Sequence, residues 1–279
     1  MAAATALFVL WLFAVWPPPL WYRTHFPAET AFMRMRAESI PVRAYRPVPI
    51  DSISPLFLRA VLIGEDHRFR THHGLDFVEL RRALGYRRDA FSWRSARDIR
   101  ELVRAAGGAW ERRDALRGAS TLTQQLAKNL YLSPSRNPLR KVKEAVTAYR
   151  LEGALGKQRI LELYVNVAEL GEGVWGVEAA SERYFGRPAA RLTRTQAAAL
   201  AGSLPFPLES NPGHDPGRMR WRQDLILRRM GGPALEAPIL AREIPEAVAE
   251  SIAAPVRIEG VGSGNGAEAA APLGDQPGE

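Results

Sequence analysis

Two groups of side chains in this sequence have the types and spacings that phosphate chemistry asks for. Gln124 and Lys128 stand four apart and Gln125 and Lys128 three apart, so on a helix they share the face opposite Leu122, Leu126 and Leu130. Further on, Arg140 and Glu144 are four apart, and Lys141 and Glu144 three apart. The joint between them, SPSRNPLR over residues 133–140, adds Arg136 and would fold the two polar faces toward one another. Amides, cations and one carboxylate converging in this way fit a pyrophosphate. The same spacing also fits a pair of solvated amphipathic helices with an ordinary ion pair, and spacing alone favours that plainer reading.

The distribution of lysine bears on the choice. The chain has 38 lysines and arginines, and only Lys128, Lys141, Lys143 and Lys157 are lysine. Lysine is a compact point charge with three donors where arginine is a planar fork, a difference that matters at a phosphate. Chance within an arginine-biased composition would gather them equally well.

A further cluster runs from Glu65, Asp66 and His67 to His72, His73 and Gly74. Grouped His, Asp and Glu invite a metal, but the spacing matches no H-E-x-x-H or related pattern, and no metal ligand is assigned. Glu65 stands at the end of an apolar helix, where partial burial would raise its pKa and suit it to act as acid or base. A lone Glu-Asp pair at a surface helix end would look the same. Carboxylates on separate segments, Glu65 and Glu144, with cations beside one of them, suggest chemistry at a sugar that bears a phosphate leaving group.

The elements that must position these groups read as mainly α, since few segments alternate like strands. Ser54 and Pro55 read as the cap and first residue of a helix through Leu58, Val61 and Leu62, ending near Glu65. Ser120 would cap a helix with the stripe Leu122, Leu126 and Leu130. After Pro138 a second helix would turn Leu139, Val142, Val146 and Tyr149 inward, and a third carries Ile160, Leu161, Tyr164 and Ala168. Thr193 to Gln196 fits a capping box, and a last helix is predicted over 216–230. Residues 76–117 hold 11 arginines against seven acids and read as helical pieces in an insert.

Composition bounds the rest. The 279 residues are 46% hydrophobic and 24% charged, enough for one large domain, and the net charge of +8 favours an anionic partner. The chain has no cysteine, which excludes disulfides, thiolate chemistry and cysteine zinc sites. Residues 1–22 carry no charged side chain, lack a basic n-region and a cleavage pattern, and include Trp11, Trp16, Trp21 and Tyr22, as at a membrane interface. They are expected to form a transmembrane anchor, although Ala2 to Trp16 is short of the roughly 20 residues of a span. Arg23, Arg34 and Arg36 follow it, and charge alone would put the domain in the cytoplasm. The expected organisation is an anchor at 1–22, an extended lead-in at 23–53, a catalytic domain at 54–232 and a tail at 233–279, disordered from about 256.

On these residues the chain resembles the peptidoglycan glycosyltransferases (glycosyltransferase family 51), above all their monofunctional branch. The family's E-D-x-x-F-x-x-H-x-G is matched by Glu65, Asp66, Phe69, His72 and Gly74, and its G-x-S-T-[IL]-[ST]-Q-Q by Gly118 and Ser120 to Gln125. Its R-K-x-x-E is matched by Arg140, Lys141 and Glu144, and its K-x-x-I-L-x-x-Y-x-N by Lys157, Ile160, Leu161, Tyr164 and Asn166. GEGVWGVEAASERYFG and QAAALAGSLPFPLESNP are similar too, so the likeness covers about residues 50 to 215.

The resemblance implies a lysozyme-like helical domain with a small mobile jaw, formed by the 76–117 insert, acting on lipid II and the nascent glycan chain. It implies Glu65 as general base on the 4-hydroxyl of GlcNAc, with Lys128, Arg136 and Arg140 neutralising the pyrophosphate that leaves C1 of MurNAc. Glu144 would be the second catalytic residue, orienting these cations or a metal-bound phosphate. Asp66, Phe69, Ser120, Gln124, Gln125, Lys141 and Asn166 join the expected substrate contacts. No cofactor is required, and a divalent cation, Mg or Mn, would be an aid at the pyrophosphate. The expected location is the inner membrane, single-pass, with the domain periplasmic. Other expected partners are the bilayer, helped by the exposed aromatics Tyr86, Phe91 and Trp93, and cell-wall synthesis or division proteins. No nucleic-acid reader motif is present. With no Ser-x-x-Lys in the chain, transpeptidation is not expected. The insert departs from the family in its length, so its residues take no roles. Rival readings are a lytic enzyme on the same polymer and an inactive cell-wall module.

Overall fold

The computed structural model describes residues 2–86, 91–92, 94–111, 120–132 and 138–231. The chain is mainly helical, as expected. The first helix, α1 (Ala2–Phe13), is apolar and has 12 residues, or about 18 Å at ~1.5 Å per residue. A bilayer core is about 30 Å thick. No helix among the described residues is long and apolar enough to cross a membrane, and α1 is shorter than the span expected over 1–22. Pro17, Pro18 and Pro19 supply no backbone N–H and end the apolar run. A 3-10 turn, Pro19–Arg23, follows.

The lead-in at 23–53 is more ordered than an extended strap. In α2 (Ala31–Ala37) the Thr30 hydroxyl accepts the N–H of Met33 at 3.1 Å, and the Met33 sulfur accepts the N–H of Thr30. A thioether here does the work of the usual Glu or Gln of a capping box, so the sequence pattern is hard to see. β1 (Ala44–Tyr45) and a 3-10 turn, Ile50–Ser52, come next.

In α3 (Pro55–Glu65) proline takes the first helical position, but Ser54 makes no cap: its hydroxyl donates to the carbonyl of Leu192 at 3.1 Å. The helix buries Phe57, Ala60 and Val61. Within the insert, α4 (Phe77–Leu84) is capped by Asp76 and stopped by Gly85 in the left-handed region, and α5 (Ala96–Glu111) packs against it. Tyr86, expected at the surface, is buried, its ring edge-on to half-buried Phe91 at 6.1 Å. Trp93 lies outside the described residues.

Thr121, not Ser120, caps α6 (Leu122–Tyr131). Its hydroxyl accepts the N–H of Gln124 at 3.2 Å while Gln124 Oε1 accepts the N–H of Thr121 at 3.1 Å. The next helix, α7 (Pro138–Ala154), is rotated from the expected orientation. Glu144, Thr147, Ala148 and Leu151 are buried, while Leu139, Val142 and Tyr149 are exposed. The inward face is the one that brings Glu144 toward Lys128 of the preceding helix, with Arg140 and Lys141 of α7 itself bonded to the same carboxylate, and α7 also packs against α1.

Then come α8 (Lys157–Val167), β2 (Glu169–Gly171) and β3 (Val174–Trp175). β2 and β3 are antiparallel, β1 adds in parallel to β3, and the order is β1-β3-β2. Trp175, fully buried, lies in the core beneath this small sheet. α9 (Val177–Phe185), α10 (Arg194–Ser203) and α11 (Gly217–Gly231) complete the described chain, with the Thr193–Gln196 capping box formed as predicted. Helices α3, α10 and α11 pack together, and α6 packs on α2, α7 and α8. A Cβ on Gly202 would sit 2.9 Å from the carbonyl oxygen of Met219, so glycine is what lets α10 and α11 approach.

Candidate active site

Glu65 is the last residue of α3, and the chain turns away at Asp66. The Asp66 carboxylate then joins three segments. His72 Nε2 donates to it at 3.0 Å, and the N–H of Leu122, the first residue of α6, donates to Oδ2 at 2.9 Å. A carboxylate at a helix N-terminus also meets the positive end of the helix dipole. Beside it the Thr121 hydroxyl donates to the carbonyl of Gly74 at 2.6 Å. Gly74 has φ +88°, and a Cβ there would meet the backbone of Ala148 at 3.1 Å. The 66–74 loop is thus pinned to both α6 and α7.

Glu65 is held on both of its oxygens. Arg222 Nη2, from α11, donates to Oε1 at 2.8 Å and to the carbonyl of Gly64 at 2.9 Å. Gln125 Nε2, from α6, donates to Oε2 at 3.2 Å, while the Tyr164 hydroxyl, from α8, donates to Gln125 Oε1 at 2.9 Å. The Glu65 and Arg222 side chains are 10% and 12% exposed. Burial pushes the Glu65 carboxyl above its ordinary value, and Arg222, Gln125 and, more distantly, Lys128 oppose the rise.

One turn beyond Gln125, Lys128 is largely desolvated, which lowers its pKa, with Glu144 the first influence in the other direction. Its ammonium sits 5.3 Å from the centre of the Phe32 ring, a π face that attracts the charge without neutralising it. Glu144 is bonded elsewhere: Arg140 Nη1 donates to Oε2 at 2.8 Å and Lys141 Nζ donates to Oε1. Lys141 Nζ also donates to Ser120 Oγ at 2.7 Å, tying the start of α6 to α7. The cations 128, 140 and 141 and both carboxylates thus form one electrostatic neighbourhood. Arg136 lies outside the described residues.

Several expected substrate contacts turn inward. Asp66 is occupied as above. Phe69 is buried, with Lys157 Nζ 4.4 Å from its ring centre. The Gln124 amide closes the cap of α6. Asn166 Nδ2 donates to the carbonyls of Val48 and Glu162, and its Oδ1 accepts the N–H of Val48 at 2.8 Å, anchoring the lead-in. Of the remaining lysines, Lys157 donates to Glu152 Oε1 at 2.7 Å, and Lys143 stands over the Trp11 ring at 4.8 Å. Among the described residues no group of three or more His, Cys, Asp and Glu is placed to hold a metal ion. With both Glu144 oxygens taken by cations, the donor set does not fit a protein-held divalent cation, and no step is derived through one.

The site thus sets a buried carboxylate, Glu65, near a desolvated ammonium, Lys128, with Glu144 bonded to Arg140 and Lys141. A family model described as Transglycosylase matches residues 88–231. The biosynthetic peptidoglycan transglycosylase of Azoarcus sp. (strain BH72) is 37% identical over 239 residues, 80% of this chain and 94% of that protein. The chain belongs to the peptidoglycan transglycosylase family. Proteins of the same name from Bordetella pertussis (strain Tohama I) and Marinomonas sp. (strain MWYL1) are 39% and 42% identical over 230 and 195 residues. These cover 80% and 69% of this chain and 86% and 76% of the relatives. Gln125, Lys128, Arg140, Lys141 and Glu144 lie within the matched residues 88–231, and Glu65 lies before them. Arg222 was missed: it is one of several arginines in α11, at 218, 220, 222, 228 and 229, and nothing in their spacing marks the one that reaches Glu65.

Proposed function

We propose that this transglycosylase polymerises glycan from lipid II, passing the growing chain from undecaprenyl pyrophosphate to the 4-hydroxyl of the incoming GlcNAc. The observation that carries the reading is a buried, doubly held carboxylate, Glu65, near a desolvated ammonium, Lys128, whose first electrostatic counterpart, Glu144, is bonded to other cations. Glu65 takes the hydroxyl proton, and the acceptor oxygen attacks C1 of the donor MurNAc. The C1–O bond breaks and its electron pair leaves with the pyrophosphate. Attack opposite an α-linked leaving group gives a β-1,4 bond, so the configuration inverts. Lys128, Arg136, Arg140 and Lys141 balance the charge that gathers on the departing oxygens, and Glu144 keeps Arg140 and Lys141 aimed. Ser120 and Gln125 complete the contacts to the donor.

We also place the enzyme on the periplasmic side of the inner membrane, with its lipid substrate entering from the bilayer. Leu7, Phe8, Leu10 and Trp11 of α1, Trp16 at 85% exposure, Leu20 and Trp21 form an apolar surface. Arg150 Nη1 donates to the carbonyl of Phe13, and Lys143 covers Trp11, so cations of α7 border that surface. Such a rim suits anionic headgroups. In this arrangement the α4–α5 pair is the jaw over the donor groove, the fold is lysozyme-like, and no cross-linking follows polymerisation.

A raised Glu65 pKa would also serve an acid in a lytic enzyme, but cutting a glycosidic bond has no need of Lys128 and the Glu144-bound cations. Labelled lipid II separates the two. The expected product is polymer, lost in Glu65→Gln with lipid II binding retained. Fragments from preformed glycan, or full activity in Glu65→Gln, would overturn the reading.

A further inference from the structure

Glu65 is gripped from opposite sides by groups that no sequence motif places together. Oε1 receives Arg222 at 2.8 Å, a short charge-assisted bond, and Oε2 receives the Gln125 amide at 3.2 Å, a longer neutral one. The same Arg222 nitrogen donates to Gly64 O, one residue before Glu65, so it registers the helix end as well as the side chain. On the other side the orientation of the Gln125 amide is not arbitrary. The Glu65 carboxylate only accepts, so the Gln125 NH2 faces it, and the Tyr164 hydroxyl donates to the Gln125 oxygen that is left on the far side. Tyr164 is fully buried and desolvation pushes its pKa well above the usual value, so it stays a neutral donor at every working pH.

We propose that Arg222 and Tyr164 are positioning residues for transfer: Arg222 occupies Oε1, Tyr164 acting through Gln125 sets the other side, and Oε2 is thereby the atom that takes the acceptor's proton. The inference rests on Glu65 being the base. It has an electrostatic consequence. The charged groups acting on Glu65 are Arg222 of α11, Lys128 of α6 and its chain neighbour Asp66, while α8 offers neutral Tyr164 and the buried face of α10 is Ala197, Ala198, Leu200 and Ala201. Arg222 is the first of the influences that oppose burial. Without it the carboxyl climbs further, and a reaction that needs the carboxylate begins only at higher pH.

The test is the pH profile of lipid II polymerisation by the full chain, with thermal melting beside it, for Arg222→Gln, Arg222→Lys, Tyr164→Phe and Glu65→Gln. Arg222→Gln is expected to lower kcat about tenfold or more and to move the acid limb of kcat/KM to higher pH. Arg222→Lys, which keeps the charge, should return the limb most of the way. Tyr164→Phe removes the donor that holds the Gln125 oxygen and lets the side chain shift away from Glu65, so kcat should fall several-fold with KM for lipid II held. A limb that stays put in Arg222→Gln, with activity reduced alike at all pH values, would show that Arg222 only braces α3 against α11 and would overturn the inference. A wild-type kcat in Tyr164→Phe would overturn the relay even if Arg222→Gln failed to fold. Glu65→Gln keeps the outcomes apart: if it is inactive while the Arg222 limb is unmoved, the positioning inference alone fails, and if it is active, the base assignment fails first.

Discussion

As the proposed base, Glu65 would have to satisfy opposed demands, dry enough to hold a proton and charged enough to take one. Burial supplies the first and Arg222 the second, and neither could be read from the Glu-Asp pair by itself. The types Glu65, Lys128, Arg140, Lys141 and Glu144 were legible because each needs only its own spacing in a motif. Asp66, Phe69, Gln124 and Asn166 were legible as residues but not as roles. A motif does not say whether a polar side chain turns out to a ligand or in to a backbone, and these turn in. For Asp66 the inward role is testable. Asp66→Ala deletes the acceptor of His72 and of the Leu122 N–H, leaving both buried without it. It should cost about 3 kcal/mol in denaturant unfolding. A loss below about 1 kcal/mol would mean that the 66–74 loop does not depend on that carboxylate.

At the scale of elements, the leucine stripe of α6 gave its existence correctly and its cap wrongly by one residue. Ser and Thr both serve as caps, Ser slightly the better, and only the reciprocal bond from Gln124 decides for Thr121 over Ser120. Thr121→Ala should therefore destabilise the protein by about 1–2 kcal/mol. Ser120→Ala should leave unfolding nearly unchanged and act on turnover, through Lys141. The reverse pattern in a melt would restore Ser120 as the cap. The rotation of α7 was hidden for a different reason. Leu139, Val142 and Tyr149 make a regular apolar stripe, and periodicity assigns such a stripe to the core. Periodicity has no means of registering that Glu144 faces Lys128 of α6. The Met33 cap of α2 was similarly out of view, because sulfur is rarely counted as an acceptor.

For the whole molecule, the outward face of α7 and the length of α1 belong together. A helix of 12 residues that leaves Leu7, Leu10 and Phe13 exposed, next to a helix with its own exposed apolar stripe, presents a continuous surface with cations along it. Replacing exposed apolar side chains there should weaken association with anionic vesicles by about 1.5–3 kcal/mol for each one that is buried in lipid. Trp16→Ser with Leu20→Ser, followed by vesicle sedimentation, is expected to lower the bound fraction markedly without changing the melting temperature. Unchanged sedimentation of the double variant would remove this surface from the membrane contact.

The bond from Arg222 to Glu65 joins positions 157 residues apart, and α11 is the last helix of the described chain. Glu65 is therefore synthesised long before the residue that holds its carboxylate. On the proposed mechanism, a nascent chain that has made Glu65, Lys128 and Glu144 would still be chemically silent, and turnover would wait for α11 to arrive.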